Sequence, residues 1–194
     1  MLKNAVVEGR LEHAPRLRPP PAHDRKPPRR DPAGKGLDPR FIGREYGPFE
    51  YEAGVEKMRE FAYAVGGGVP STGFSGRGAP AGLHPWYFDR AAAAASPWGS
   101  IIAMPNFCVA WAITPFARAC ADQELQVNLL RLVHGEQTFE FIEPVRPGDV
   151  LVTRGAISHI ETRRNLDFLE VTTETKNQHG RLVVRGTWTA IIRG

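Results

Sequence analysis

The stretch "IIAMPNFCVAWAITPFARACAD", residues 101–122, places the tightest limit on what this chain can fold into. Its first 17 residues carry no charge and are apolar on all sides, the mark of a helix surrounded by protein or by lipid. Crossing a bilayer takes about 20 such residues. Pro105 and Pro115 interrupt this run and Arg118 closes it, so a buried central helix is expected and no membrane span. The helix is predicted to begin near Pro105, because proline lacks an N–H that a first-turn position does not need.

From Val127 onward the periodicity becomes that of strands. "VNLLRLVHGEQTFEFIEPV", "DVLVTRGAISHIETRR", "LDFLEVTTETKNQ" and "RLVVRGTWTAIIR" are rich in Val, Ile, Thr, Phe and Trp, with "RPGD" and "NQHG" as turns between them. Four strands joined by short connections imply an antiparallel meander. Upstream, "FIGREYGPFEYEA" (41–53) reads as an opening strand packed through Tyr46, Phe49 and Tyr51. In "AGVEKMREFAYAVG", Val55, Met58, Phe61, Ala62 and Val65 recur at helical spacing, and Gly66 closes the helix. The class is therefore α+β, with one long helix laid on an antiparallel sheet of about five strands.

The formal charge of +4 is unevenly placed. The first 40 residues carry ten Lys/Arg against five Asp/Glu, whereas the rest carry fifteen against sixteen. Eight of the 17 prolines also fall in those first 40 residues, which predicts a disordered, solubilising tail (1–40) ahead of a single domain (41–194). A basic excess confined to such a tail argues against nucleic acid as a partner. The tail has neither the apolar run of a secretory signal nor the acid-poor composition of an organelle-targeting peptide. Cys108 and Cys120 form neither a disulfide framework nor a metal site, and a reducing cytoplasm is expected. "GGGVPSTGFSGRGAPAG" (66–82) lacks the Gly-Lys-Ser/Thr of a phosphate loop and reads as a flexible excursion.

Four segments, in this order and spacing, carry a family likeness: "IGREYGPFEYEAGVEKMREFAYAVG", "GSIIAMPNF", "LLRLVHGEQTFEFIEPVRPGDVL" and "TTETKNQHGRLVVRGTWT". Over about residues 41–193 the chain resembles the MaoC-like dehydratases, most of all their N-terminal-type, fatty-acid-synthase-like branch. The resemblance implies a hot-dog fold. It also implies reversible hydration of a 2-enoyl thioester to a 3-hydroxyacyl thioester, carried on coenzyme A or acyl carrier protein, with no metal and no further cofactor.

That chemistry needs proton-transfer groups and hydrogen-bond donors for the developing enolate. Active members of the family supply the proton-transfer pair from D-x-N-P-x-H ahead of the central helix. With its proline at Pro85, the motif's Asp falls on Gly82, its Asn on His84 and its His on Tyr87. Glycine has no proton to exchange, and tyrosine, with an ordinary pKa near 10, is a poor base at neutral pH. His84 is thus the candidate catalytic residue of the loop. Trp86 and Tyr87 read as pocket wall, and Asp89 as a helix cap.

The start of the buried helix offers a second candidate element, since free N–H groups there suit a thioester oxygen. Gly99, Ile101, Pro105 and Asn106 are accordingly candidate substrate-binding residues. His134 and Glu136, two apart on a strand, would face one side as a possible base pair, although His134 reads better as structural. Arg163 and Arg164 read as a solvated turn, with a phosphate of coenzyme A or of a carrier's phosphopantetheine as the alternative. Arg146 reads the same way, and His159 and His179 as surface residues.

The resemblance further implies a dimer. The leading expectation is a subunit without the acid/base pair that combines with a MaoC-like partner bearing it. A homodimeric hydratase or thioesterase and a non-catalytic acyl-CoA-binding protein are the alternatives. Residues 96–121 hold no carboxylate, which counts against a thioesterase.

Overall fold

The computed structural model describes residues 36–66 and 82–194. A 3-10 turn at Pro39–Phe41 leads into β1 (Glu45–Glu52) and α1 (Val55–Val65). A turn at Pro85–Tyr87 and α2 (Arg90–Ala94) precede the central segment, which comprises a 3-10 turn at Pro105–Cys108, α3 (Val109–Ala112) and α4 (Thr114–Cys120). A last turn at Leu129–Arg131 opens a run of four strands, β2 (Leu132–Phe141), β3 (Val150–Arg163), β4 (Leu166–Lys176) and β5 (Leu182–Arg193).

The five strands form one antiparallel sheet in the order β1-β3-β4-β5-β2. β3, β4 and β5 make the expected meander, but β2 does not join it next to β3. β1 occupies that side of β3, so β2 pairs with β5 at the opposite edge and residues 142–149 return across the sheet. The crossing is tied at both ends, by Ile142 N–H donating to Val183 O (2.9 Å) and Gly148 N–H donating to Ala53 O (2.9 Å).

The central helix is shorter than its sequence predicts. Pro115 offers no N–H to the Trp111 carbonyl one turn back, so the segment divides at Ile113 into α3 and α4. Nor is it enclosed all round, because Ala110, Ala117 and Arg118 are exposed. Alanine reads as apolar in a sequence yet loses little by facing water. The buried side carries Phe107, Trp111 and Phe116, which meet Leu151, Ile157, Leu169, Val171 and Trp188 of the sheet in one core. Contact is closest at Gly155, where an added Cβ would lie 2.5 Å from Pro115 Cβ. Hydroxyls interrupt this apolar face. Thr153 and Thr175, both buried, share a 2.8 Å hydrogen bond, and Trp188 Nε1 donates to Thr173 Oγ1 at 3.1 Å. A helix wrapped by such a sheet is the hot-dog fold, as expected.

Helix α1 buries Met58, Ala62 and Tyr63, while Val65, expected to pack, lies near its end and is 49% exposed. The core begins ahead of residue 41, since Leu37 is buried in it. Residues 1–35 of the expected tail, and 67–81 of the expected flexible excursion, lie outside the described residues. Asp122, just beyond α4, ties the helix to β1: its carboxylate accepts from Tyr46 Oη (2.8 Å) and pairs with Arg44 (3.2 Å). Burial alone would raise the Asp122 pKa, but the Tyr46 hydroxyl, backbone N–H groups and Arg44 together hold it below the ordinary value.

The two sheet edges differ. β1 is guarded by Pro48, by a bulge between Tyr46 and Phe49, and by Glu45, Glu50 and Glu52. On β2, residues 133–138 are all exposed, and large apolar side chains at or beside its ends face water: Leu129, Leu130, Val133, Phe141 and Ile142. Leu130 is 98% exposed.

Candidate functional site

The loop holding the predicted motif is fixed by short-range hydrogen bonds. Gly82 is exposed with a left-handed φ of +75°. His84 precedes the turn at Pro85–Tyr87 and caps it, its Nδ1 accepting from Trp86 N–H at 3.4 Å. Asparagine caps in the same way through its side-chain oxygen. A ring nitrogen at that position makes the same local contact, so His84 can stand where the motif has Asn without disturbing the turn. The imidazole also lies against Trp86, with ring centroids 3.9 Å apart. One nitrogen is thus engaged, and the ring leans on the indole at a 52° tilt. Asp89 caps α2, its Oδ1 accepting from Ala91 N–H (2.8 Å) and Ala92 N–H (3.0 Å).

Tyr87 takes a different course. It lines a cavity of about 310 Å³ bounded by the segment Ile102–Pro105, by Cys108 and Trp111 beneath, by the crossing residues Ile142–Val145 and by Val183 and Val184 at the start of β5. The backbone accounts for this placement: Ala103 N–H donates to Val145 O (2.8 Å), holding the segment ahead of the helix against the crossing connection. Trp98 and Phe141 complete the lining, and both are exposed.

The walls are mainly apolar, and the polar groups among them are constrained. Burial pushes the Cys108 thiol up to about 12, so it stays protonated near neutrality. The Glu143 carboxylate pairs with Arg181 at 3.0 Å. Trp111 Nε1 is buried with no hydrogen-bond partner among the described residues. Such a space accepts a hydrocarbon chain, each buried CH₂ contributing about 0.8 kcal/mol. Among the described residues no three His, Cys, Asp or Glu side chains gather as metal ligands would.

Of the predicted substrate-binding residues, Tyr87 and Pro105 line the cavity. Trp86 turns to His84 instead, and Ile101 packs in the core while its neighbour Ile102 forms wall. Gly99 makes an exposed turn with φ +68°, and Asn106 is exposed outside the lining. The segment start has fewer free donors than an ordinary helix N-terminus, since Pro105 has no N–H and Phe107 N–H donates to Met104 O (2.9 Å). The proposed His134/Glu136 face is overturned. A bulge at Gly135 pairs His134 with Ala190 and Glu136 with Thr189, adjacent residues of β5, so the two side chains leave opposite faces. His134 lies against Phe116 and Trp188, with centroids 5.3 and 5.7 Å away.

Sequence reasoning missed Trp98, Cys108, Trp111, Glu143, Val183 and Val184 as cavity lining. Cys108 and Trp111 lie one turn apart just beyond Pro105, whereas Glu143, Val183 and Val184 carry no local mark, because the β2–β3 crossing brings them to the cavity.

A hot-dog sheet with an apolar cavity beside the loop ahead of its helix is the architecture that the sequence resemblance implied. The chain belongs to the FAS1-like dehydratase domain region family, whose profile matches residues 40–185. A UPF0336 protein of Streptomyces griseus is 34% identical over 149 residues, covering 76% of this chain and 89% of that one. A UPF0336 protein of Saccharopolyspora erythraea is 35% identical over 159 residues, covering 81% and 92%. Among solved structures, the C-terminally truncated HadBC (3R-hydroxyacyl-ACP dehydratase) complex of Mycobacterium tuberculosis superposes with a TM-score of 0.62 at 25% identity, covering 78% of this chain and 96% of that one. The R-hydratase PhaJ1 of Pseudomonas aeruginosa superposes with a TM-score of 0.54 at 21% identity, covering 78% and 81%, which speaks for the fold.

Proposed function

We propose that this chain is the acyl-pocket subunit of a 3-hydroxyacyl-thioester dehydratase, or 2-enoyl-thioester hydratase, and that the proton transfers are made by a MaoC-like partner carrying an intact D-x-N-P-x-H motif. One observation carries the reading: the motif's proton-transfer positions hold an exposed glycine and a wall tyrosine, beside a well-formed apolar cavity. Gly82 has no side chain to titrate. His84, the remaining candidate, has its Nδ1 committed to a cap. The HadBC complex supports pairing, because it contains two kinds of chain and one of its chains is similar to this one. The exposed β2 edge, with apolar side chains at its two ends, supplies a surface on which a second hot-dog chain completes the sheet.

The division of labour follows from the chemistry. The cavity holds the acyl chain and excludes water from it. The partner's Asp and His then add or remove water across the α,β-bond, the α-proton and the hydroxyl leaving or arriving on the partner's side. The test is hydration of crotonyl thioester by the purified chain and by the chain co-expressed with a motif-bearing MaoC-like protein. Turnover only in the complex is expected. Robust turnover by the chain alone would refute the proposal, and its loss in His84→Ala would reassign that histidine to catalysis.

A further inference from the structure

The cavity beside the motif loop is rich in rings, although aromatic residues make up only 9% of the chain. Tyr87, Trp98, Trp111 and Phe141 line it from four separate segments: the turn at Pro85–Tyr87, the loop after α2, helix α3 and the end of β2. Met104 and Cys108 add sulfur to the same walls, and burial keeps Cys108 a neutral thiol, its pKa pushed up to about 12. Sulfur of this kind sits favourably against the edge of a ring.

Trp111, in the floor, belongs to a longer aromatic series. It stacks on Tyr51, with centroids 5.4 Å apart and 30° between the planes, and meets Phe107 edge-on at 5.4 Å and 80°. Phe107 in turn lies 5.1 Å from Phe61. None of these three neighbours lines the cavity, so they hold the indole in place without filling the space above it. A further ring seated in the cavity would continue the series that begins in the core.

We infer that the cavity selects acyl groups that end in an aromatic ring, so that the substrate is an aryl-terminated 2-enoyl or 3-hydroxyacyl thioester. The inference rests on the dehydratase-subunit reading above and narrows its substrate class. Each ring of the wall offers an aryl group edge or face contacts in addition to burial, whereas a straight alkyl chain gains burial alone. A ring also has fewer rotatable bonds than an alkyl chain of the same carbon count, so less freedom is lost on binding. The dimensions agree. An apolar cavity of about 150 Å³ suffices for benzene, and the one here, about 310 Å³, leaves room for a ring and its tether. The ring is a hydrocarbon one, because the Glu143 carboxylate is held by Arg181 at 3.0 Å and offers no free charge to a polar substituent.

The experiment uses the full-length chain in complex with its motif-bearing partner. Hydration of 5-phenyl-2-pentenoyl-CoA is compared with that of 2-undecenoyl-CoA, which has the same number of carbons and the same reacting end. Calorimetry gives Kd for the saturated analogues, 5-phenylpentanoyl-CoA and undecanoyl-CoA. The aryl compound should be favoured roughly fivefold or more in both kcat/KM and Kd, as a single ring–ring contact would give. Trp98 and Phe141 are 39% and 50% exposed, so replacing them leaves the core intact. In Trp98→Leu and Phe141→Leu, which keep apolar bulk and remove the ring, the aryl-to-alkyl ratio should fall toward one, and further in the double variant. Equal treatment of the two acyl groups by the wild-type complex, or preference for the alkyl chain, would overturn the inference. So would a ratio unchanged in the double variant, since the selection would then lie outside these walls. Failure of the subunit reading is seen separately, as a complex no more active on crotonyl-CoA than the chain alone, and the calorimetric comparison still decides the selectivity in that case.

Discussion

The hydroxyl pair inside the sheet offers a sharp test of how this core is balanced. Thr153 and Thr175 face each other across β3 and β4, with a single hydrogen bond of 2.8 Å between them and relative exposures of 1% and 0%. Thr→Val conserves shape and removes the hydroxyl. In Thr153→Val the Thr175 hydroxyl is left buried without its partner, which costs about 1–3 kcal/mol, and the converse holds for Thr175→Val. Replacing both leaves two methyl groups in van der Waals contact and no stranded polar atom. The double variant should therefore lie within about 1 kcal/mol of wild type, although the single losses sum to several. Urea denaturation of the four proteins, followed by far-ultraviolet circular dichroism at constant m, gives the coupling directly. Strictly additive losses would refute the reasoning, because they would mean that each hydroxyl has a satisfactory alternative partner and the pair is incidental.

Gly155→Ala drives a Cβ to 2.5 Å from Pro115 and 3.0 Å from Thr172 O, both on or against rigid backbone, and should cost about 1–3 kcal/mol, read as a lower urea midpoint. Asp122→Asn should destabilise by about 1–3 kcal/mol at pH 7. Because the folded Asp122 pKa is depressed, that contribution is present above the ordinary carboxylate range and disappears as pH falls through the folded value, so wild type and variant should converge in acid-range melts. His84→Asn should keep the turn at Pro85–Tyr87 and the thermal midpoint, whereas His84→Ala should lose about 0.5–2 kcal/mol, and equal behaviour of the two would remove the capping argument. Ala103→Phe projects a ring into the cavity and should raise KM for longer acyl chains in the complex more than for crotonyl thioester.

The strands and α1 were legible because each declares itself locally, as in the alternation of Leu169, Val171, Thr173 and Thr175 or the spacing of Met58 and Ala62. What escaped the sequence depends on geometry between segments. The place of β2 is decided by competition with β1 for one side of β3, which no window of residues records. Gly135 looked like any strand glycine, yet an added Cβ would meet Ile191 Cδ1 at 2.7 Å, and its bulge reverses the face of everything after it. The loop placed at Pro85 from the sequence is in the structure a short turn, Pro85–Tyr87, capped by His84. The cavity next to it was half legible, through Tyr87 and Pro105, because its other wall comes from residues 141–145 and 183–184.

The exposed β2 edge also has a consequence for the cell that makes this protein. Among the described residues β2 is a ten-residue strand with one free row of main-chain donors and acceptors, fringed by Leu129, Leu130 and Phe141. That is a template for indiscriminate strand addition. On the proposed pairing, synthesis in excess of the partner would yield insoluble or degraded material instead of a reserve of free subunit, so the level of soluble protein should be set by whichever of the two chains is scarcer.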